Sequence, residues 1–228
     1  MTFEARIKDF VGDTMTDTAG MSQWLLDGVK ELINIIPTDM MLKCTAQTLR
    51  NADEGTTFDL DGSGKVLYVT RKNADSGYYV PCRMIPPMYG DLANDSSSLL
   101  YDGTNVLDPV YWTESNSSNA GTLFIKPTPT NAQPAKVYHV KYPTTSTFQS
   151  GVSTAREATT IDNFPDEAEY AVILYASIKA AESLLATEED TDLYNPIISN
   201  LKSDYKNAIN LLTAGTSSGA VESEGGQE

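Results

Sequence analysis

Hydrophobic spacing changes twice along this chain, from helical to strand-like and back, and a chain patterned this way cannot fold as one uniform repeating architecture. Phe3, Ile7, Phe10 and Val11 recur at helical spacing and stop before Gly12-Asp13. Leu25, Val29, Leu32 and Ile36 mark a second stripe that ends at Pro37, which cannot continue a helix. Helices are therefore predicted near residues 2–11 and 21–35, each needing a partner for its apolar face.

Between about 38 and 150 the helical stripe disappears. This stretch holds 8 of the 11 prolines and 8 of the 12 tyrosines. Its apolar runs are short, β-branched and aromatic: Val66-Leu67-Tyr68-Val69, Tyr78-Tyr79-Val80, Val110-Tyr111-Trp112, Thr122-Leu123-Phe124-Ile125 and Val137-Tyr138-His139-Val140. Turn-forming residues separate them, which predicts an all-β antiparallel insertion, a sandwich or small barrel.

Helix returns at Phe164-Pro165-Asp166-Glu167, where proline suits the first helical position and the two acids suit the positive end of the dipole. Tyr170 to Ile178 is nearly all apolar, so a helix over 165–186 is expected to be enclosed on most sides. A last helix, 191–213, carries Ile197, Leu201, Tyr205, Ala208, Ile209 and Leu212 on one face. From Ala214 to Glu228 only Val221 is large and apolar, so this stretch reads as an extended C-terminal tail. The expected fold is α+β, with a helical bundle domain from 1–37 and 160–213, a β insertion domain at 38–150, and a tail at 214–228.

Composition removes several functional classes. With 228 residues, 40% apolar and 21% charged, the chain has ordinary globular proportions. No apolar run approaches the roughly 18 residues that span a bilayer, and the start lacks a signal-peptide pattern, so a soluble protein without membrane association is expected. The 16 basic and 31 acidic side chains give a net charge of −15, and no basic stripe suits duplex DNA or an anionic membrane. Cys44 and Cys82 lack CxxC spacing and read as free, buried or half-buried thiols.

Chemical motifs are sparse. Asp59-Leu60-Asp61-Gly62-Ser63-Gly64 fits the front of a calcium loop, yet position twelve is Thr70 instead of a bidentate Glu, so a Gly-rich turn is the expectation. His139, the one histidine, sits in a strand pattern with no sequence-visible catalytic partner. Asp166-Glu167 and Glu188-Glu189-Asp190 read as helix-start and solvated connection acids. Tyr78, Tyr79, Tyr111 and Trp112 could stack on sugars or bases, but are expected in the sheet core or at subunit contacts. No catalytic residue, metal site or cofactor is assigned, and an enzyme is not expected.

The order of parts, the run from Ile161-Asp162-Asn163-Phe164-Pro165 through Lys179-Ala180, the opening Thr2-Phe3-Glu4-Ala5-Arg6-Ile7, and Cys82-Arg83-Met84-Ile85-Pro86-Pro87 resemble virion proteins of marine and cyanobacterial tailed phages. Size and helix-β-helix order are most similar to the head-to-tail adaptor, also called connector or neck protein. That resemblance implies a homo-oligomeric ring, commonly twelve-fold, between the portal protein and a tail or nozzle protein. DNA would pass through its lumen without specific binding, and the protein would reside in the virion neck after assembly in the host cytoplasm. It also implies a C-terminal arm on the portal, with Leu211, Leu212, Ala214, Val221, Glu222, Glu224 and Glu228 as contacts. Subunit contacts are expected at Tyr78, Tyr79, Tyr111 and Trp112. The alternatives are a head-closure or tail-tube protein, or a glycan-binding or glycan-degrading tail component.

Overall fold

Helix α1, Phe3–Val11, begins where the Thr2 hydroxyl accepts the Ala5 N–H, and ends where Gly12, at φ 93°, returns its N–H to the Lys8 carbonyl. Helix α2, Thr18–Ile35, is capped by the Asp17 carboxylate, which accepts the Gly20 N–H at 2.8 Å. It stops at Ile36, which is extended, as a residue before proline prefers to be. These details come from a computed structural model that describes residues 1–61, 63–73, 76–100, 107–115, 121–188 and 190–214.

The backbone divides into two compact units. One comprises Met1–Cys44 and the chain from Tyr142 onward; the other is Thr45–Lys141. The boundaries lie seven and nine residues inside the 38–150 stretch marked by composition, so 38–44 and 142–150 belong to the helical unit. A short helix α3, Thr38–Met41, and a 3-10 turn at Leu42–Cys44 bury Met41 and Cys44 within the helical unit.

In the helical unit the long helices are α5, Asp166–Glu188, and α6, Thr191–Ala214. Helix α5 is central, packing against α1, α2 and α6. Ala171, Val172, Ile173, Leu174, Ala176, Ser177 and Ile178 are all buried, more than one face can account for, which is why this stretch is apolar all round. Helix α6 buries Tyr194, Ile198 and Leu201 near its start, while Leu211 near its end is exposed. Glu182 of α5 ties the pair together, accepting from Lys179 at 3.0 Å and Lys202 at 2.8 Å.

The second unit is a two-sheet sandwich with mostly antiparallel pairing. One sheet has the order β1 (Thr45–Arg50), β8 (Ala135–Val140), β3 (Val66–Lys72), β4 (Tyr79–Pro81). The other has the order β2 (Phe58–Asp59), β7 (Thr122–Lys126), β6 (Val110–Glu114), β5 (Arg83–Met84). Val69, Ala135 and Val137 of the first sheet pack on Phe58, Tyr111, Leu123 and Ile125 of the second. One pair departs from the antiparallel expectation: β5 runs parallel to β6. Parallel neighbours need a crossover, and the intervening chain includes helix α4, Gly90–Asn94. Ala93 of α4 packs with Ile85, Val110 and Trp112, so the second sheet is covered on both faces.

Candidate functional site

The structure separates the expected aromatic contacts into two kinds. Tyr111 and Trp112 are 9% and 1% exposed, since β6 turns Tyr111 toward the first sheet and Trp112 toward α4. They are core residues and offer no side-chain surface to a neighbour. Tyr78 and Tyr79 are 79% and 36% exposed, at the start of the edge strand β4.

Residues expected to touch a portal fall partly on α6. Leu211 and Leu212 line an apolar groove of about 390 Å³ with Met40, Tyr170, Ala171 and Ala208, rimmed by Glu167. The Glu167 carboxylate is held below the usual range by a backbone hydrogen bond and by Lys43, whose ammonium lies 3.1 Å away. Sequence reasoning missed Met40 and Tyr170, although a tyrosine with its polar hydroxyl at the head of an apolar helical run was a visible signal. Ala214 is exposed at the end of α6. Val221, Glu222, Glu224 and Glu228 lie outside the described residues.

The chemical candidates resolve into structural roles. His139 is buried, its Nδ1–H donating to the Val140 carbonyl at 3.1 Å and its Nε2 standing 3.1 Å from the Thr48 hydroxyl. With Nδ1 committed as donor, Nε2 is left to accept, the neutral tautomer. Burial lowers its pKa, and Phe58 packs on the ring at 4.8 Å. Asp59 accepts the Asp61 N–H at 3.0 Å, an Asx-type turn between β2 and β3, and Thr70 lies in β3; Gly62 is outside the described residues. Among the described residues no group of three or more His, Cys, Asp or Glu is placed to hold a metal ion. Burial raises the Cys44 thiol to about 11 and the Cys82 thiol to about 12, and neither is in a disulfide. Glu188 accepts from the Tyr194 hydroxyl at 2.6 Å, and Asp190 accepts the Leu193 N–H at 3.1 Å at the start of α6. Glu189 lies outside the described residues. Among the described residues no helix is long and apolar enough to cross a membrane.

These surfaces suit contacts with other proteins, and comparison with known families decides which kind. A family model described as SU10 adaptor protein matches residues 2–223, nearly the whole chain and both units. The chain belongs to the SU10 adaptor protein family. A search of curated proteins found no match. As a phage adaptor it is a virion component that interacts with other phage structural proteins. An adaptor needs exposed, chemically distinct faces on a stable frame, and two such faces stand out. One is the Met40–Tyr170–Leu211–Leu212 groove. The other is the outward side of the first sheet, where Tyr68 and Tyr138, also missed from the sequence, stack at 4.3 Å. Their signal was the period-two alternation that set Tyr and Lys opposite the Val and Ala positions of β3 and β8.

Proposed function

We propose that this adaptor forms a ring, twelve-fold, that joins the portal protein to a tail or nozzle protein in the neck of a marine or cyanobacterial tailed phage. The observation that carries the reading is the adaptor family match over residues 2–223, on a chain with helices at both ends and a β unit between. The ring acts structurally and without catalysis. Helices form its wall and the β unit a contact module. A net charge of −15 repels phosphates at close range, which suits a passage through which DNA slides without being gripped.

The portal is met by the C-terminal end of the chain. Leu211 and Leu212 lie in the groove, Ala214 ends α6, and Val221, Glu222, Glu224 and Glu228 supply one apolar anchor and carboxylates for basic portal side chains. A segment so poor in apolar side chains cannot offset its ordering entropy, about 1 to 2 kcal/mol per residue, by packing on its own unit. Its partner therefore has to supply that surface, and the arm raises the effective concentration of the docking faces. Deleting residues 215–228 is expected to leave the melting temperature unchanged and to weaken attachment to portal-bearing heads. Undiminished attachment by the truncated chain would rule out the portal arm.

A further inference from the structure

Charge is divided unequally between the two units. The helical unit carries 21 Asp and Glu against 8 Lys and Arg, a net −13, whereas the β unit carries 10 against 8, a net −2. Within the β unit, the outward side of the first sheet presents Tyr68, Lys72, Tyr79, Lys136 and Tyr138 from three adjacent strands. The outward strand positions hold no carboxylate. Tyr68 is 43% exposed and stacks on Tyr138, its direct cross-strand partner, with an interplanar angle of 23°. The Lys136 ammonium sits 4.3 Å from the centroid of the Tyr79 ring.

The helical unit has the opposite character at one end. Tyr194, whose hydroxyl donates to Glu188 at 2.6 Å, has Thr14 as a neighbour, so the α1–α2 loop, with Asp13 and Asp17, lies by the α5–α6 turn, with Glu188, Asp190 and Asp192. All five carboxylates are exposed, and among the described residues none forms an ion pair.

We propose that the tyrosine-lysine face of one copy docks on this acidic end of the next copy, and that this contact builds the ring. The inference rests on the ring reading above and names the faces that would make it. Copies with a net charge of −15 repel one another, a local match of opposite charge lowers that repulsion, and these two patches supply one. The patches differ, so the contact is heterologous; each copy keeps one free face of each kind, and repetition closes into a ring when the rotation permits. Single-stranded nucleic acid is the other ligand class for a sheet with aromatics and lysines. Here one face of each ring is already engaged, Tyr68 with Tyr138 and Tyr79 with Lys136, and the chain's net charge of −15 opposes a polyanion. The Lys72 and Lys136 ammonium groups and the tyrosine hydroxyls on this face suit the carboxylates of a second copy.

The test is sedimentation velocity of the full chain over a range of concentrations and salt. The wild-type chain is expected to self-associate, and to come apart as salt rises from about 0.01 M to about 1 M, which shortens screening from roughly 30 Å to roughly 3 Å. Lys72→Glu/Lys136→Glu and Asp13→Lys/Asp192→Lys should each weaken self-association by about tenfold or more, and an equal mixture of the two should restore it. The milder Lys72→Gln/Lys136→Gln pair should give an intermediate loss with an unchanged melting temperature. A wild-type chain that stays monomeric in every condition, a charge-reversed chain that associates like wild type, or a mixture that fails to recover would overturn the contact. So would tight binding of an oligo-dT probe, abolished by Lys72→Glu/Lys136→Glu, in a chain that does not self-associate. Attachment to portal-bearing heads is scored separately. Self-association without attachment would sink the head-to-tail reading alone, and attachment without self-association would sink this contact alone.

Discussion

The indole Nε1–H of Trp112 donates to the Glu114 carboxylate at 2.6 Å, two positions along the same strand, and the backbone of Gly90 lies against both groups. A Cβ at position 90 would collide with Trp112 Nε1 and lie 2.7 Å from Glu114 Oε1. Gly90→Ala should therefore destabilise the β unit by about 1 to 3 kcal/mol, the usual cost of overpacking. Chemical denaturation followed by near-UV circular dichroism reads this directly. A variant as stable as wild type would mean that α4 does not pack on β6 as described.

Gly28 plays the matching part in the helical unit. A Cβ there would lie 2.9 Å from Cδ1 of Tyr175, so α2 and α5 approach through a glycine. On an exposed helix, Gly→Ala is favourable by about 1 kcal/mol; here the clash should reverse the sign. A double-mutant cycle with Tyr175→Ala is expected to show coupling, with Gly28→Ala less harmful once the ring is gone. Additive effects would contradict the close approach.

Stability should fall on account of His139 as pH drops below about 6.5, the ordinary imidazole value. Burial, opposed by the hydrogen bond to Val140, lowers its folded-state pKa below the ordinary value near 6.5. The unfolded chain then binds a proton more readily, so no penalty exists above about pH 6.5; it grows as pH falls and is complete below the folded-state pKa. His139→Gln should flatten this part of the stability profile measured by urea denaturation. Equal slopes for variant and wild type would show that the imidazole is not buried as described.

The thiols give a simple check on burial. Thiolate is the reactive form, and burial disfavours it at both Cys44 and Cys82. A thiol-disulfide reagent at pH 8 should label neither cysteine in the folded chain and both in denaturant. Rapid labelling of native Cys44, which is 1% exposed, would contradict the packing around α3.

Legibility in the sequence followed side-chain chemistry. The four long helices could be read because stripes such as Phe3–Ile7–Val11 coincide with the stop signals Gly12 and Pro37, and β3, β6, β7 and β8 because they are rich in β-branched and aromatic residues. Strand β1 was not legible: Thr45–Arg50 has one large apolar residue, Leu49, and that one points outward, while inward Ala46, Thr48 and Arg50 pair with β8. Nor was α4, whose five residues are too few for a stripe, and without it the choice for Trp112 between core and subunit contact stayed open. Surface patches were the least legible. Asp13 and Asp192 are far apart in sequence, and it is the meeting of Thr14 with Tyr194 that brings their segments to one end of the bundle.

Cryo-electron microscopy of purified virions, with this chain located by fitting its two units into the density, tests the head-to-tail reading most directly. The expected result is twelve copies in a ring that touches the portal on one side and a tail or nozzle protein on the other, around an open DNA passage. Density that places the chain away from the portal, or as isolated copies outside any ring, would contradict it.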